Sequence, residues 1–103
     1  MNIHLVKRFI QQKRYRFSVH AEQEREADHV TVEEFEQALR SPEAEVIEAY
    51  PNDPRGPSCL VVGFTIEGRP VHAVLGRQEN VLIVITVYQP DPHEWIRWRK
   101  RRS

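Results

Sequence analysis

Apolar positions in the first third of the chain recur with helical spacing. In "NIHLVKRFIQQK", Leu5, Val6, Phe9 and Ile10 fall on one face, which predicts a helix over residues 3–13. "RYRFS" alternates over a short run and reads as an edge strand. Ser18 is a candidate N-cap for a helix over residues 19–28, whose apolar face of Val19, Ala27 and Val30 is thin. A firmer helix over residues 31–41 follows. Thr31 and Glu34 have capping-box spacing, and Val32, Phe35 and Leu39 share a face before Ser41-Pro42 ends it.

The period then shortens to two. "EVIEAY" predicts a strand and "PNDPRGPS" a turn-rich loop. "CLVVGFTIEGRPVHAVLG" predicts a hairpin about a two-residue turn, Glu67-Gly68. That register pairs Phe64 with Val71, Val62 with Ala73 and Leu60 with Leu75, and it sets His72 across from Gly63 with space beside the ring. "VLIVITVY" is apolar on both faces and β-branched, as in a central strand covered on both sides. Helices first and strands second predict an α+β domain, N-terminal helices packed on an antiparallel β-meander of residues 45–89. Residues 1–96 form the single domain in this reading. Residues 97–103 form a basic tail, either one last helical turn or an unfolded end.

Composition narrows the class. A chain of 103 residues with 40% hydrophobic and 29% charged content has room for one core. Its lone cysteine, Cys59, cannot form an internal disulfide, which fits a reducing compartment. No run approaches the roughly 20 apolar residues that span a bilayer, and "MNIHLVKRF" lacks the pattern of a secretion signal. The expected location is the cytoplasm, with no membrane partner. Net charge is zero, but the charges are segregated. Residues 1–16 carry Lys7, Arg8, Lys13, Arg14 and Arg16 and no acid, whereas residues 17–54 carry eleven acids against Arg25 and Arg40. The end, "WIRWRKRRS", is basic again. Such asymmetry marks an interaction surface, or basic ends that pair with acidic helices.

"SVHAEQ", "YPNDPRGPSCLVVGF", "GRPVHAVLG" and the closing "VITVYQPDPHEW" resemble the bacterial domain-of-unknown-function family numbered 4258, from about Tyr15 to Trp95. That family looks related to RelE-like and barnase-like ribonuclease folds, whose members are often toxins of toxin–antitoxin pairs. The resemblance implies a RelE-like fold, RNA as substrate, and a small antitoxin partner, of the zinc-finger type in some relatives. In the family's opening helix, arginines typically stand four and eight residues after the histidine. Here Glu24 and Asp28 stand there, so the charge is inverted.

Metal-independent RNA cleavage needs one group to take the 2′-OH proton, another to protonate the leaving oxygen, and cations for the phosphorus centre. The candidates for proton transfer are His20, His72 and Tyr88, with Arg69 and Arg77 as cations and no cofactor or metal. For His20 the plainer role is a first-turn residue bonding Glu24; a weaker idea is metal binding by the stripe His20, Glu24 and Asp28. If His20 acts in catalysis, it should line one concavity with His72 or Tyr88. A three-residue loop, Arg77 to Glu79, puts His72 on the face of Val84, Thr86 and Tyr88, and a four-residue loop puts it with Ile83, Ile85 and Val87. Both registers remain open in the sequence. Arg97, Trp98, Arg99, Lys100, Arg101 and Arg102 mix a ring with cations in a way that suits single-stranded RNA, while Trp95 is expected to dock on the sheet. Two functions follow. One is an endoribonuclease-type toxin using general acid/base chemistry; the other is a non-catalytic RNA- or protein-binding module of the same fold.

Overall fold

The computed structural model describes residues 1–103. Helix α1 (Ile3–Gln11) begins at Asn2, whose side chain accepts from the Leu5 N–H, and it buries Val6, Phe9 and Ile10. Lys13 then turns left-handed (φ 58°), and the N–H groups of Lys13 and Arg14 close back on the carbonyls of Ile10 and Phe9. Strand β1 (Tyr15–Phe17), helix α2 (Val19–Ala27) and helix α3 (Val32–Arg40) follow. Helix α2 ends as α1 does, with His29 left-handed (φ 55°) and the Val30 N–H on the Arg25 carbonyl. Helix α3 carries the expected capping box, both of its hydrogen bonds at 3.0 Å. Its buried face runs through Phe35, Ala38 and Leu39. Val32, at the first helical position, lies off the end of that face and is 40% exposed, so its expected burial does not occur.

Strands β2 (Glu45–Tyr50), β3 (Ser58–Phe64), β4 (Pro70–Gln78) and β5 (Val81–Tyr88) form the antiparallel meander. Strand β1 adds to the far side of β5 in parallel, which makes the five-stranded sheet mixed, in the order β1-β5-β4-β3-β2. Helix α3 packs on β3, α2 on β5 and α1 on α3. The fold is α+β.

Two hairpin registers differ from the sequence-based pairing. In β3–β4, Phe64 pairs with Pro70 and Val62 with His72. The loop holds three residues, Ile66 to Gly68, rather than two. The Thr65 N–H donates to Arg69 O and the Gly68 N–H to Thr65 O, and Gly68 supplies the positive φ (86°) that such a loop requires. In β4–β5, Gln78 pairs with Val81 around only Glu79 and Asn80, a turn shorter than either of the expected loops. The register then shifts at Ile85, between Leu75↔Val84 and Val74↔Thr86, so that His72 meets Tyr88. A bulge turns the strand's alternation over. Thr86 and Tyr88 therefore share the face of His72, while Val84 goes to the helix side and into the main core.

That core of 16 residues lies between the helices and one sheet face, with Val61, Val71, Ala73, Leu75, Leu82, Val84 and Val87 from the strands. Gly63 belongs to this side and leaves no room beside His72. A Cβ there would overlap the carbonyl of Ala38, so the glycine is what lets α3 approach the sheet. The opposite face buries Leu60, Val62 and His72. The chain's end covers it. Strands β6 (Trp95–Ile96) and β7 (Lys100–Arg101) form a second, two-stranded sheet, so residues 97–101 are part of a folded hairpin rather than a helical turn or a free tail.

Candidate functional site

Strand alternation brings a polar group together on the second face of the sheet. His72 on β4 stands opposite Tyr88 on β5. On β2, Glu48 stands opposite Leu60 and Tyr50 opposite Ser58, two residues apart and on one face. From the hairpin, Arg101 reaches Glu48 with Nε at 2.8 Å and Nη2 at 3.1 Å, a bidentate pair. The Tyr50 hydroxyl donates to Glu48 at 2.5 Å. Neither Glu48 nor Tyr50 was among the sequence candidates. The signal for them was the alternation of "EVIEAY", which carries no hint of a partner 53 residues away.

His72 is sealed. Its Nε2 donates to the Trp98 carbonyl at 2.6 Å, and its Nδ1 accepts from the Tyr88 hydroxyl at 3.1 Å. A carbonyl can only accept, so Nε2 carries a proton, and burial, which disfavours a charged ring, leaves Nδ1 to accept from the Tyr88 hydroxyl. Trp95 stands edge-on to the ring at 4.5 Å between centroids. Burial pushes the His72 pKa down, although the Trp98 carbonyl and the Glu48 carboxylate pull the other way. Burial pushes Tyr88 up to about 12 and raises Tyr50, aided by its bond to Glu48. Burial works to raise Glu48, but its bonds to Arg101 and Tyr50 outweigh that and hold it low. General acid/base work favours a group that titrates near the working pH. All four of these groups are displaced away from neutrality.

His20 lies outside this group. It is on α2 with its side chain 64% exposed, and Nε2 is 3.3 Å from Glu24. The expectation that His20 shares a cavity with His72 fails on one side, because His72 has no exposed surface. The acids after His20 have a structural task instead. Strand β1 stops at Phe17, and α2 continues along the uncovered edge of β5. Ser18 closes the strand pairing through its N–H to Val84 O and its hydroxyl to Ile85 O. Beyond it, Glu24 accepts from the Val87 N–H at 3.2 Å and Asp28 from the Gln89 N–H at 2.9 Å. The two carboxylates replace a neighbouring strand's carbonyls, which gives the stripe a reason other than metal.

The cations divide sharply. Arg69 is wholly engaged within the fold. It donates to the carbonyls of Asp28 and His29, to Glu34 and to Gln89, binding the end of α2 to the start of α3. These bonds give Arg69 a structural task within the fold. At the chain's end, Arg99 pairs with Glu45 and lies over the Phe64 ring. Arg101 pairs with Glu48 over Trp95, and Arg102 donates to the Pro92 carbonyl. The basic end thus pairs with acids of β2, not of the helices. Trp98 gives its carbonyl to His72, and of the C-terminal cations only Arg97 and Lys100 make no side-chain bond.

The opposite end of the sheet is different. Around the β4–β5 turn, Arg14 donates to Asn80 O, Arg16 to the Gln78 side chain and Arg77 to Glu79 O. Arg8 borders the same hollow as Arg14 and Arg77. None of the four is bonded to a carboxylate. Only Lys13 of the N-terminal cations pairs with an acid, Glu36 at 2.6 Å.

A family model described as Domain of unknown function (DUF4258) matches residues 17–89. The chain belongs to this family. No curated protein and no solved structure matches it. The DUF4258 match runs from the last residue of β1 to just past β5. It therefore includes His20, Arg69, His72, Arg77 and Tyr88, and it leaves out α1, Arg14, Arg16 and the β6–β7 hairpin. No helix of this DUF4258 protein is long and apolar enough to cross a membrane.

Proposed function

We propose that this protein is a non-catalytic RNA-binding module that grips the phosphate backbone at the β4–β5 end of its sheet. The observation that carries the reading is the gathering of Arg8, Arg14, Arg16 and Arg77 there without a carboxylate bonded to any of them. Guanidinium groups without internal counter-charges hold mobile anions, and a polyanion releases counterions when it binds such a surface. The module would work in the cytoplasm.

The alternative, a RelE-like toxin that cuts RNA and is held by a small antitoxin, has one support. Glu48, Tyr50 and Tyr88 share a sheet face, Arg101 reaches them from the hairpin, and all four are residue types that RNA cleavage uses. The pKa displacements of the carboxylate and both phenols favour binding over cleavage.

The test is the affinity for a single-stranded RNA measured against salt, for the wild type and for R8Q/R14Q/R16Q/R77Q. Each neutralised phosphate adds about 0.7 to the log–log slope for single strands. The fourfold variant should bind more weakly and show a slope smaller by about 0.7 for each phosphate it no longer holds, while the RNA stays intact. An equal slope in the two proteins would overturn the assignment of the surface. Cleavage of the RNA by the wild type would overturn the non-catalytic reading.

A further inference from the structure

Between α1 and the β4–β5 turn lies a hollow of about 140 Å³ lined by Leu5, Arg8, Phe9, Gln12, Arg14 and Arg77. Three of its six walls are arginines and none is acidic. The Arg14 guanidinium carbon is 5.0 Å from the centroid of the Phe9 ring, and that of Arg77 is 5.4 Å from the same ring. Like charges are held here by neutral groups. Arg14 Nε donates to Asn80 O at 3.1 Å and its Nη1 to Gln12 Oε1 at 2.8 Å, while Arg77 Nε donates to Glu79 O at 3.0 Å. The electron-rich ring face favours both cations. These bonds orient the guanidinium groups and leave donors over: Nη2 of Arg14, both Nη atoms of Arg77 and the whole of Arg8.

Charge and size select the ligand. A phosphodiester brings one negative charge and two free oxygens. A phosphomonoester brings about −1.5 to −2 at neutral pH and three strong acceptor oxygens. The free Nη2 of Arg14, the two Nη atoms of Arg77 and the unbonded guanidinium of Arg8 supply donors for three oxygens and match the second. The hollow is also well below the roughly 300 Å³ at which pockets for whole small molecules begin, so it suits a phosphate group without its sugar and base. On the other side of Arg77 a second hollow of about 260 Å³, bordered by Arg55, Gly76, Ile83 and Ile85, runs onto the sheet. A strand could continue there.

We infer that the Arg8–Arg14–Arg77 hollow is a subsite for the terminal phosphate of an RNA strand, an inference that rests on the RNA-binding reading. The experiment uses one oligoribonucleotide sequence with a 5′-phosphate, a 3′-phosphate or hydroxyl groups at both ends, and the full chain. One phosphorylated end should bind about tenfold tighter than the hydroxyl form or better, the effect of one charge-assisted hydrogen bond. R14Q and R77Q should each remove that preference, and R16Q, outside the hollow, should weaken all three RNAs alike. Equal affinity for the three ends, or a preference that persists in R14Q and R77Q, overturns the subsite and leaves the RNA reading standing. If no RNA binds but pyrophosphate does, and R77Q abolishes it, the RNA reading falls. The hollow then serves a smaller phosphorylated ligand, and the terminal-RNA assignment is overturned.

Discussion

His72 Nε2 lies 2.6 Å from the carbonyl oxygen of Trp98, and this bond ties the middle of the sheet to the turn of the C-terminal hairpin. The turn is strained. Arg97 (φ 53°) and Trp98 (φ 67°) are both left-handed, and Arg99 N–H closes the turn on Ile96 O at 3.0 Å. Two such non-glycine residues cost roughly 1–2 kcal/mol each. The histidine bond, the Trp95 packing and the ion pairs of Arg99 and Arg101 offset that strain.

A pH dependence follows from this bond. Burial, foremost, sets the folded pKa of His72 below its ordinary 6.5. At higher pH the imidazole is neutral in folded and unfolded chains, and its contribution is complete. As pH falls below 6.5, the unfolded chain takes the proton first, and stability drains away until the folded pKa is reached. Denaturant titrations from pH 7.5 to 4.5, taken as rough limits for this window, should show that loss in the wild type. H72Q should be less stable at pH 7 and flatter across the window. Parallel curves for the two proteins would remove His72 as the source.

Glu24 and Asp28 should be structural. In E24R the Val87 N–H loses its acceptor at the sheet edge, and in D28R the Gln89 N–H does. E24R should cost about 1–3 kcal/mol, or several degrees in Tm for a domain of this size, and D28R less, because the Gln89 N–H is exposed and water can replace its acceptor. E24Q keeps an amide oxygen in place and should cost clearly less. Thermal melts of E24R and E24Q that coincide would show that the carboxylate bond contributes nothing.

Gly63 and Gly76 should differ in tolerance. A Cβ at Gly63 meets the Ala38 backbone, whereas one at Gly76 meets the tip of the Ile85 side chain at 3.2 Å, which can turn aside. G63A must lift α3 from the sheet and should lose about 3 kcal/mol or more. G76A should stay within about 1 kcal/mol of the wild type. Chemical denaturation of both variants measures the gap, and a small loss in G63A would mean that α3 can shift freely.

Much of the architecture was readable locally. The capping box of Thr31 and Glu34, the N-cap at Ser18 and the apolar face of Val6, Phe9 and Ile10 rest on neighbours within one helical turn. The strands β2 to β5 likewise follow from local signals, short β-branched apolar runs bounded by turn residues. Local spacing alone specifies such features, and it specified an α+β domain with helices ahead of a meander.

The faces of the strands needed the folded chain. One residue more or less in a loop reverses which side every later side chain takes. The three-residue loop at Ile66–Gly68 and the bulge at Ile85 together sent His72 and Tyr88 to the second face and Gly63 and Val84 to the core. Charge behaved likewise. The sequence determined that both ends are basic, but not which cations would find acids. Arg99 and Arg101 met Glu45 and Glu48 across separations of 54 and 53 residues, and Arg69 met the end of α2. Arg8, Arg14, Arg16 and Arg77 met only neutral groups. Local pattern is set by neighbours in the chain, whereas partnering of charges depends on which distant segments the sheet brings together, and only the tertiary structure decided that.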